Sequence, residues 1–477
     1  MNHCVFISTA LPYVNAPPHL GFALEVVLAD AIARHARARS KEVRFVSGTD
    51  DHSSKNVRAA ERAGVSTRAY VDAAAGRYLA LARVAGAAYD DFVRTSADPR
   101  HAAAVEALWE ACRHAGDLEK RGYRGLYCAG CERFLEAGEV EVCPEHGTKA
   151  EVVEEENWFF ALSRYADRIR AALESGALRI HPPERANEVL RFLDTGLHDV
   201  SVSRPGGRTR GWGIPVPGDP DQTVYVWFDA LASYVVSRDA WHGAERRIHV
   251  IGKGIARFHA VLWPALLLAA GLPLPTDLVV HGYVTVDGKK IGKSLGNAID
   301  PGELAERFGT DALRYYLLRH VGAVNDADVS VERIATAYSS ELADGLGNLL
   351  ARTLGLVRAR LGGERPTPEP GVDASSDALA ARAEALQGEV DRALEGFAVD
   401  DALRAVFAVV AEANVHLART APWSADDGLR GASLGATCVA LEAIARALGP
   451  LLPTTANRIA QALAAPAEPS PILFPKE

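Results

Sequence analysis

Short apolar runs and longer runs of helical periodicity alternate along the first hundred residues. Cys4–Thr9 is an apolar run typical of a buried parallel strand, and Val43–Val46 predicts a second one. Between them lie Leu11–Gly21, rich in proline, asparagine and glycine, and a helical pattern that continues to Arg34. This order of strand, loop, helix and strand predicts a βαβ unit, and the second strand leads into Gly48–His52. Because ligands bind at the carboxyl ends of parallel strands, the segments that follow both strands are candidate binding loops.

The pattern changes between residues 114 and 225. Turns such as Pro205–Gly207 and the helical stretch Leu162–Glu174 there predict an inserted domain. An α/β pattern then returns, with three strand-like runs and one helical run: Thr223–Phe228, Ile248–Gly252, Leu278–Val286 and Ile255–Ala270. Parallel strands on both sides of an insertion indicate one α/β domain in two halves.

After about residue 330 nearly all of the chain is predicted to be helical, with apolar residues at spacings of three and four. Gly362–Pro370 is a predicted loop between two helical blocks. The predicted fold class is α/β, with a split Rossmann-type parallel sheet domain (1–113 and 226–325) that holds the insert (114–225). A linking helical region (326–361) and a C-terminal α-helical bundle (362–477) complete the predicted domains.

The composition is that of an ordinary globular protein, with 48% hydrophobic and 24% charged residues in a chain of 477 residues. The net charge of −9 has the wrong sign for a protein that coats nucleic acid indiscriminately, but it leaves room for a local RNA-binding groove. Residues 1–10 lack the pattern of a signal peptide, and apolar runs such as Val261–Leu272 are shorter than the ~20 residues of a membrane helix. We therefore expect a cytoplasmic protein with no membrane partner.

Four potential metal ligands are closely spaced in the insert. Two residues separate Cys128 from Cys131, two separate Cys143 from His146, and eleven lie between the pairs. Three thiolates and one imidazole at this spacing are typical of a closed, tetrahedral, structural Zn²⁺ site. The alternative, two coincidental turns with reduced thiols, does not account for the second pair. The sequence therefore predicts a zinc knuckle that stabilises the insert and takes no part in chemistry.

Two further segments could bind phosphate groups. Pro18–Gly21 opens the first predicted helix, where amide groups and the positive end of the helix dipole attract anions, and His19 could donate a hydrogen bond. Taken alone, this segment is better explained as a capping turn with a surface histidine. Asp287–Ser294 follows the last strand-like run, and its lysines suit a loop that closes on a polyphosphate. Taken alone, it is better explained as a solvated basic turn, and it lacks the spacing of a Walker A loop.

Together, the two segments resemble the signature sequences of the class I aminoacyl-tRNA synthetases, which lie one in each half of a split α/β domain. His19–Phe22 is similar to the HIGH-type motif, and Lys290–Ser294 is similar to the KMSKS-type loop. Within that class the chain resembles the methionyl-tRNA synthetases of the single zinc-knuckle type, from about residue 5 to about residue 425. Five further stretches support this resemblance: Ala10–Asn15, Gly48–His52, Trp212–Pro217, Tyr225–Ala230 and His281–Val284.

The resemblance implies an enzyme that activates methionine with ATP and transfers it to tRNA. Its catalytic residues would be His19, Lys290 and Lys293, and its ATP-binding residues would be Asn15, His19, Gly21, Gly252, Lys290 and Lys293. The resemblance places nine residues around the amino acid: Leu11, Tyr13, Asp50, Trp227, Ala230, Tyr234, Ile255, His259 and Trp263.

The same resemblance also implies cofactors and an RNA partner. Mg²⁺ would accompany ATP, and Zn²⁺ would occupy the knuckle. Asn348, Arg352 and Trp423 would recognise a CAU anticodon by hydrogen bonds and base stacking, so the bundle would be an anticodon-binding domain. A monomer is expected.

Some positions depart from the family pattern and keep two alternatives open. Phe22 replaces the second histidine of the HIGH-type motif, and Gly254 stands where aspartate is usual, with the cation of Arg257 nearby. Smaller departures are Ser53, Leu231, Ile291 and Gly292. One alternative is a synthetase paralogue that adenylates another amino acid or uses an acceptor other than tRNA. The other is a tRNA-binding protein without catalytic activity.

Overall fold

The computed structural model describes residues 4–128, 133–134, 142, 149–286, 288–290, 299–322 and 324–476. The chain forms two compact units. The first unit consists of Met1–Pro18, Arg44–Ala80 and Tyr89–Val280, and the second of His19–Val43, Leu81–Ala88 and His281–Glu477.

The first unit is built on a six-stranded sheet. From one edge to the other its strands are β3 (Asp91–Arg94), β2 (Glu42–Thr49), β1 (Cys4–Thr9), β12 (Ala244–Gly252), β13 (Asp277–His281) and β7 (Arg179–His181). The pairs β1–β12, β2–β3 and β7–β13 are parallel. The strands predicted at Cys4–Thr9 and Ile248–Gly252 are confirmed, and the second strand is longer than Val43–Val46. The sheet therefore combines strands from both predicted halves of the α/β domain.

The edge strand β7 comes from within the predicted insert. Asp277, at the start of β13, accepts two hydrogen bonds from the Arg179 guanidinium at 2.9 and 3.0 Å. It also accepts from His181 and Arg246, both at 3.1 Å. Burial alone would raise the pKa of Asp277, but these donors hold the pKa well below its usual range. The insert is thus joined to the main sheet by a buried charge cluster as well as by backbone pairing.

The strand predicted at Thr223–Phe228 is wrong in its second half. Strand β11 (Asp219–Val224) ends at Val224, and helix α8 (Val226–Ala232) begins two residues later. A short apolar run does not by itself distinguish a buried strand from a buried helix. Helix α8 places Phe228 and Leu231 in the core, so the apolar side chains that suggested a strand are buried by a helix instead.

The single helix predicted at Ile255–Ala270 is divided into three parts. A 3₁₀ turn covers Lys253–Ile255, a π-helical segment covers Phe258–Leu262, and α10 covers Trp263–Ala269. Pro264 lacks an N–H group, so the regular hydrogen bond of an α-helix cannot form at this position, and the wider turn lies just before it. The irregular part of this helix coincides with the predicted amino-acid site.

The other strands of the first unit form two small sheets. One has the order β5 (Arg133–Phe134), β4 (Leu118–Cys128), β6 (Glu151–Phe160) and β8 (Val200–Ser201), and the other the order β10 (Pro215–Val216), β11 and β9 (Ser203–Pro205). Short 3₁₀ helices cover Leu162–Tyr165 and Ser233–Val235. The remaining α-helices are α2 (Ser54–Ala63), α3 (Thr67–Val84), α4 (Pro99–His114), α5 (Ala166–Glu174), α6 (Pro183–Asp194), α7 (Gly206–Thr209) and α9 (Arg238–Gly243).

The second unit is mostly helical. Its helices are α1 (Leu20–Ala38), α11 (Pro301–Phe308), α12 (Thr310–Tyr316), α13 (Val331–Ala337), α14 (Asn348–Leu361), α15 (Ala374–Glu395), α16 (Val399–Thr420), α17 (Asp427–Leu448) and α18 (Pro453–Ala464), with π-helical segments at Leu317–Val321 and Tyr338–Gly347. A small sheet has the order β15 (Lys289–Lys290), β14 (Val284–Val286) and β16 (Ala327–Asp328). The predicted C-terminal bundle is confirmed, and Gly362–Pro370 connects α14 to α15.

Helix α17 lies in the interior of the bundle, packed against α14, α15, α16 and α18. By length and composition alone, it is the one helix among the described residues that could cross a membrane. Most of its apolar stretch is buried against the neighbouring helices, which accounts for its composition.

Arg314 of α12 is the most deeply buried cation in the described part of the second unit. Its side chain is 0% exposed, and its guanidinium lies 2.7 Å from the equally buried carboxylate of Asp30 in α1. The same group donates hydrogen bonds to three backbone carbonyl oxygens, those of Ala85, Pro450 and Leu451. Arg314 therefore holds α1, the segment after α3 and the turn between α17 and α18 together.

We expect Arg314→Ala to lower the free energy of unfolding by about 3 kcal/mol, because three buried carbonyl groups lose their donor and Asp30 keeps Arg34 as its remaining cation. Urea unfolding followed by circular dichroism measures this loss. The matched control is Arg404→Ala. The Arg404 side chain is 60% exposed and pairs with Asp400 on the helix surface, so its loss should cost less than about 1 kcal/mol. Equal losses for the two variants would contradict the role of Arg314.

Candidate active site

His19 is the N-cap of α1. Its Nδ1 accepts a hydrogen bond from the Gly21 amide at 3.1 Å, so the proton of the neutral ring is on Nε2, which can donate to an anion. A Cβ atom at position 21 would lie 3.0 Å from the His19 ring, so glycine leaves room for the folded-back imidazole. The side chain is exposed at the positive end of the helix. The His19 imidazole that caps α1 is therefore also the candidate phosphate-binding group.

The loop that follows β1 is held by two tyrosine hydroxyls from α3. Tyr78 donates to the carbonyl oxygens of Tyr13 and Ala16 at 3.2 and 3.1 Å, and Tyr70 donates to that of Asn15 at 3.3 Å. Burial raises the pKa of Tyr78 well above its usual value, so this hydroxyl keeps its proton and remains a donor. The predicted ATP-binding loop is thus tied to a helix at three carbonyl groups.

Asp50 lies at the carboxyl end of β2, beside the loop after β1. Its amide donates to the Pro12 carbonyl oxygen at 3.0 Å, and Asp50 forms a parallel bridge with Tyr13. The residue is 2% exposed, and its Oδ1 accepts from the His52 amide at 3.2 Å. Asn56 donates to the Asp50 carbonyl oxygen at 2.9 Å. The structure therefore brings the two predicted binding loops together and places a buried carboxyl group where they meet.

Aromatic residues from α8 and the irregular helix form one cluster. The Trp227 and Phe258 rings stack with their centroids 3.8 Å apart and 4° between their planes. The Tyr234 and Trp263 ring centroids are 5.8 Å apart. Leu11, Trp227 and Ile255 pack, partly exposed, against the same hydrophobic core as Tyr234 and Trp263, and Ala230 lies on α8 one turn after Trp227. Six of the predicted amino-acid residues are thus gathered around one apolar region: Leu11, Trp227, Tyr234, Ile255, His259 and Trp263.

His259 is the polar member of this cluster, and its tautomer is defined. Nδ1 lies 3.1 Å from the Ile255 carbonyl oxygen, which can only accept, so Nδ1 carries the proton. Nε2 then accepts from the Tyr234 hydroxyl at 2.8 Å. Burial lowers the pKa of His259 to about 4, although the hydrogen bond to Ile255 opposes the shift. At neutral pH this wall of the cluster is therefore uncharged.

A second buried imidazole, that of His249 in β12, supports the first. The Trp263 indole donates to its Nε2 at 3.1 Å, so Nδ1 carries the proton and donates to the Ser8 hydroxyl oxygen at 2.6 Å. Burial lowers the pKa of His249 well below its usual value, and nearby His259 adds to this. The centroids of the Tyr234 and His249 rings are 4.3 Å apart, with 46° between the ring planes. The Trp263 indole is thus oriented by its hydrogen bond to His249, a residue that the sequence analysis did not identify.

Asp229 is a buried carboxylate on α8, two residues after Trp227. It accepts from His52 Nδ1 at 2.7 Å and from His101 Nε2 at 2.5 Å. Burial alone would raise the pKa of Asp229, but the two imidazoles hold the pKa well below its usual range. In the described part of the chain, these three residues have ligand atoms that lie within 4.8 Å of one another, close enough for a metal ion. Tetrahedral zinc would separate neighbouring ligand atoms by roughly 3.3 Å, so contacts this short are hydrogen bonds.

The residues that depart from the family pattern are placed as well. Phe22 is buried, and its side chain has no hydrogen-bond donor. Gly254 and Arg257 are exposed, and the Arg257 guanidinium lies 4.5 Å from the centroid of the Phe192 ring of α6. A cation is stabilised over an aromatic face, so Arg257 has a partner within the first unit.

Two sets of predicted residues fall largely outside the described part of the chain. Lys290 contributes its backbone to β15, which pairs with β14, but its side chain and all of Lys293 lie outside the described residues. Of the four predicted zinc ligands, Cys128 is described, buried at the end of β4. Cys131, Cys143 and His146 lie outside the described residues.

In the second unit, two of the three predicted anticodon residues are in contact. The Arg352 guanidinium lies 5.7 Å from the centroid of the Trp423 ring, and Trp423 is 42% exposed. Asn348 is exposed one turn before Arg352 at the start of α14. Arg360 donates to the Trp423 carbonyl oxygen at 3.2 Å. These side chains form one exposed polar and aromatic surface on the helical unit.

Besides His52 and Asp229, which lie within stretches that carry the resemblance, sequence reasoning missed five residues that support the site: Tyr70, Tyr78, His101, His249 and Phe258. Phe258 could have been found, because it is an aromatic residue next to His259 in the same apolar run. The other four contact partners 55–241 positions away, so nothing in their neighbouring sequence identifies them.

We expect His259 to make stability depend on pH. Its pKa is about 4 in the folded chain and 6.5 without burial, so the unfolded chain takes up the proton first and stability falls as the pH drops below about 6.5. Between pH 7 and pH 5 the free energy of unfolding should fall by about 2 kcal/mol more in the wild type than in His259→Leu. Urea unfolding at the two pH values measures this difference, and equal losses would contradict an uncharged buried imidazole.

Comparisons with known proteins agree with this architecture. The family model "tRNA synthetases class I (M)" matches residues 5–151 and 145–354. The methionine–tRNA ligase of Brucella suis is 38% identical over 480 residues, 97% of this chain and 92% of that protein, and the Rhizobium meliloti enzyme is 38% identical over 483 residues. A structure of Mycobacterium tuberculosis methionyl-tRNA synthetase in complex with methionyl-adenylate superposes with a TM-score of 0.91 at 35% identity, covering 98% of this chain and 95% of that one. The chain therefore belongs to the methionyl group of the class I tRNA synthetases.

Proposed function

We propose that this protein activates methionine with ATP and transfers it to tRNA. The observation that carries this proposal is the cluster of Trp227, Tyr234 and His259 in the first unit. The helix that carries Trp227 is joined to the segment that carries Asp50 through hydrogen bonds of His52. An aromatic, uncharged wall suits a polarisable thioether, and it disfavours charged side chains because they would lose their hydration there. The named activity of the relatives, methionine–tRNA ligase, supports the same assignment.

The reaction has two steps. The methionine carboxylate attacks the α-phosphate of ATP, giving methionyl-adenylate and pyrophosphate, and the 3′-terminal hydroxyl of tRNA then attacks the adenylate. Neither step needs a nucleophilic side chain, so positioning and electrostatic stabilisation supply the acceleration. His19 is suited to this role because its Nδ1 accepts from the Gly21 amide, so the proton of the neutral ring is on Nε2 at the positive end of α1. Lys290 and Lys293 would stabilise the charge that develops on the phosphates.

Substrate contacts follow from the placement of each group. Asp50, buried at the end of β2, would receive the methionine ammonium group. Leu11, Tyr13, Ala230, Ile255 and Trp263 would complete the pocket around the side chain. ATP would contact Asn15, Gly21 and Gly252 in addition to His19 and the two lysines.

Two metal ions belong to the proposal. Mg²⁺ would share the charge of the ATP phosphates. Zn²⁺ would be held by Cys128, Cys131, Cys143 and His146, and the buried thiol of Cys128 at the end of β4 suits a ligand that stabilises the insert. The protein would act in the cytoplasm.

Recognition of tRNA would take place on the helical bundle. Trp423 is an exposed aromatic ring on which a base can stack, and Arg352 and Asn348 offer donors beside it. These groups suit a CAU anticodon, and residues 362–477 would form the larger part of the anticodon-binding domain.

We expect methionine to support ATP–pyrophosphate exchange when all twenty amino acids are tested. Gly254→Asp should lower the KM for methionine or ATP by about tenfold, since a carboxylate at the exposed turn after β12 can accept a hydrogen bond that glycine cannot. Gly388→Asp, at an exposed position of α15, is the control and should leave both KM values unchanged. Exchange with another amino acid and none with methionine would favour the paralogue that adenylates a different substrate.

We expect Trp423→Ala to weaken tRNA charging by about 1–3 kcal/mol, the range for the loss of one base stack. Pyrophosphate exchange without tRNA should be unchanged, because it does not involve the anticodon. Val415→Ala removes another exposed apolar side chain of the bundle and should affect neither reaction. A wild-type protein that activates methionine but charges no tRNA would indicate a different acceptor.

A further inference from the structure

The hydrogen-bonded group of His52, Asp229 and His101 lies outside the set of residues assigned to substrate. Its members come from three elements: the segment after β2, helix α8 and the first turn of α4. The Asp229 side chain is 1% exposed, that of His101 is 0% exposed, and that of His52 is 10% exposed. A buried carboxylate of this kind is stabilised only while both donors remain in place.

The direction of each hydrogen bond is defined. A carboxylate accepts, so His52 donates through Nδ1 and His101 donates through Nε2. The opposite ring nitrogen of His101 has no hydrogen-bond partner in the described part of the chain. The His101 ring therefore has one polar interaction there, the bond to Asp229, and this bond fixes its orientation.

This group is connected at both ends to the proposed methionine site. The His52 backbone amide donates to Asp50 Oδ1 at 3.2 Å, while its side chain holds Asp229. Asp229 itself lies on α8 between Trp227 and Ala230. The carboxyl group proposed for the ammonium and the helix that carries the aromatic wall are thus linked through two hydrogen bonds of one histidine.

Helix α4 supplies the fixed end of this arrangement. Asp98 caps its N-terminus by accepting from the Arg100 amide at 2.9 Å, and His101 follows in the first turn. Farther along α4, Trp109 packs edge-on against Phe228, the neighbour of Asp229, with centroids 5.4 Å apart. The polar contact at His101 and the apolar contact at Trp109 therefore hold α8 at two places.

We propose that His52, Asp229 and His101 are positioning residues that set the distance between Asp50 and Trp227, and thereby the affinity for the amino acid. The inference rests on the proposed function, in which Asp50 receives the ammonium group and Trp227 contacts the side chain. Loss of either histidine donor leaves Asp229 incompletely paired, and α8 then moves relative to the end of β2. Binding of ATP, which relies on other contacts, is little affected.

The test uses paired variants of the full-length protein. An asparagine amide lies where His Nδ1 does, and a glutamine amide lies where His Nε2 does, so His52→Asn and His101→Gln keep the donor. His52→Leu and His101→Leu remove it while retaining an apolar side chain. Asp229→Asn keeps the shape of the acceptor but can accept from only one of the two imidazoles. His114→Leu, an exposed histidine of the same helix, is the control.

We expect both leucine variants and Asp229→Asn to raise the KM for methionine in pyrophosphate exchange by about tenfold or more, with the KM for ATP changed less than about twofold. The two amide variants and the control should stay close to the wild type. Thermal unfolding identifies any variant that fails to fold, and the remaining members of the set then decide the outcome.

Three results would overturn the inference. Leucine variants with an unchanged KM for methionine would remove it while leaving the proposed function intact. Amide and leucine variants with equal effects would show that the histidines act by packing rather than by donating. A wild-type protein that supports pyrophosphate exchange with no amino acid would overturn both proposals. If the wild type supports exchange only with an amino acid other than methionine, the variants are compared with that amino acid.

Discussion

The parallel pairing of β1 with β12 is the interaction on which the rest of the first unit depends. Ser8 pairs with His249 and Thr9 with Val250, so the loop after β1 and the segment after β12 leave the sheet side by side. The Ser8 hydroxyl also contacts His249 across this pair, and His249 in turn accepts from Trp263. One register therefore fixes both backbone and side chains at the carboxyl ends of these strands, where parallel sheets generally bind ligands.

Buried carboxylates hold this protein together at three places where distant segments meet. Asp30 joins α1 to α12, Asp277 joins β13 to β7, and Asp229 joins α8 to α4. Each accepts a charged hydrogen bond from at least one other element, so the charge is fully stabilised only when those elements are correctly placed. Apolar packing at the same positions would tolerate sliding, whereas a hydrogen-bonded charge does not. The geometry of the candidate site is thus defined by polar contacts within an otherwise apolar core.

The fold class and the placement of the binding loops could be predicted because their signals are local. Apolar runs predict the strands at Cys4–Thr9 and Ile248–Gly252, and the glycine-containing turn predicts the start of α1. The helix at Val226–Ala232 and the π-helical segment at Phe258–Leu262 could not be predicted, since both depend on what the apolar residues pack against. The same holds for Tyr78 and His101, whose partners are brought near only by the finished fold. Resemblance to a family supplied the proposed substrate-facing residues, and its motifs include His52 and Asp229. It did not indicate that these two residues form a hydrogen-bonded group with His101.

The pairing of β1 with β12 also bears on how the chain is made. Ser8 and His249 are 241 residues apart, so β1 is complete roughly 10 to 50 seconds before β12 leaves the ribosome, at about 5–20 residues per second. During that interval β2 can cover one edge of β1, because it follows within forty residues. The other edge stays open, with an apolar strand and unpaired backbone groups exposed to other nascent chains. Until β12 is made, this edge of β1 is therefore a place where one nascent chain can pair with another.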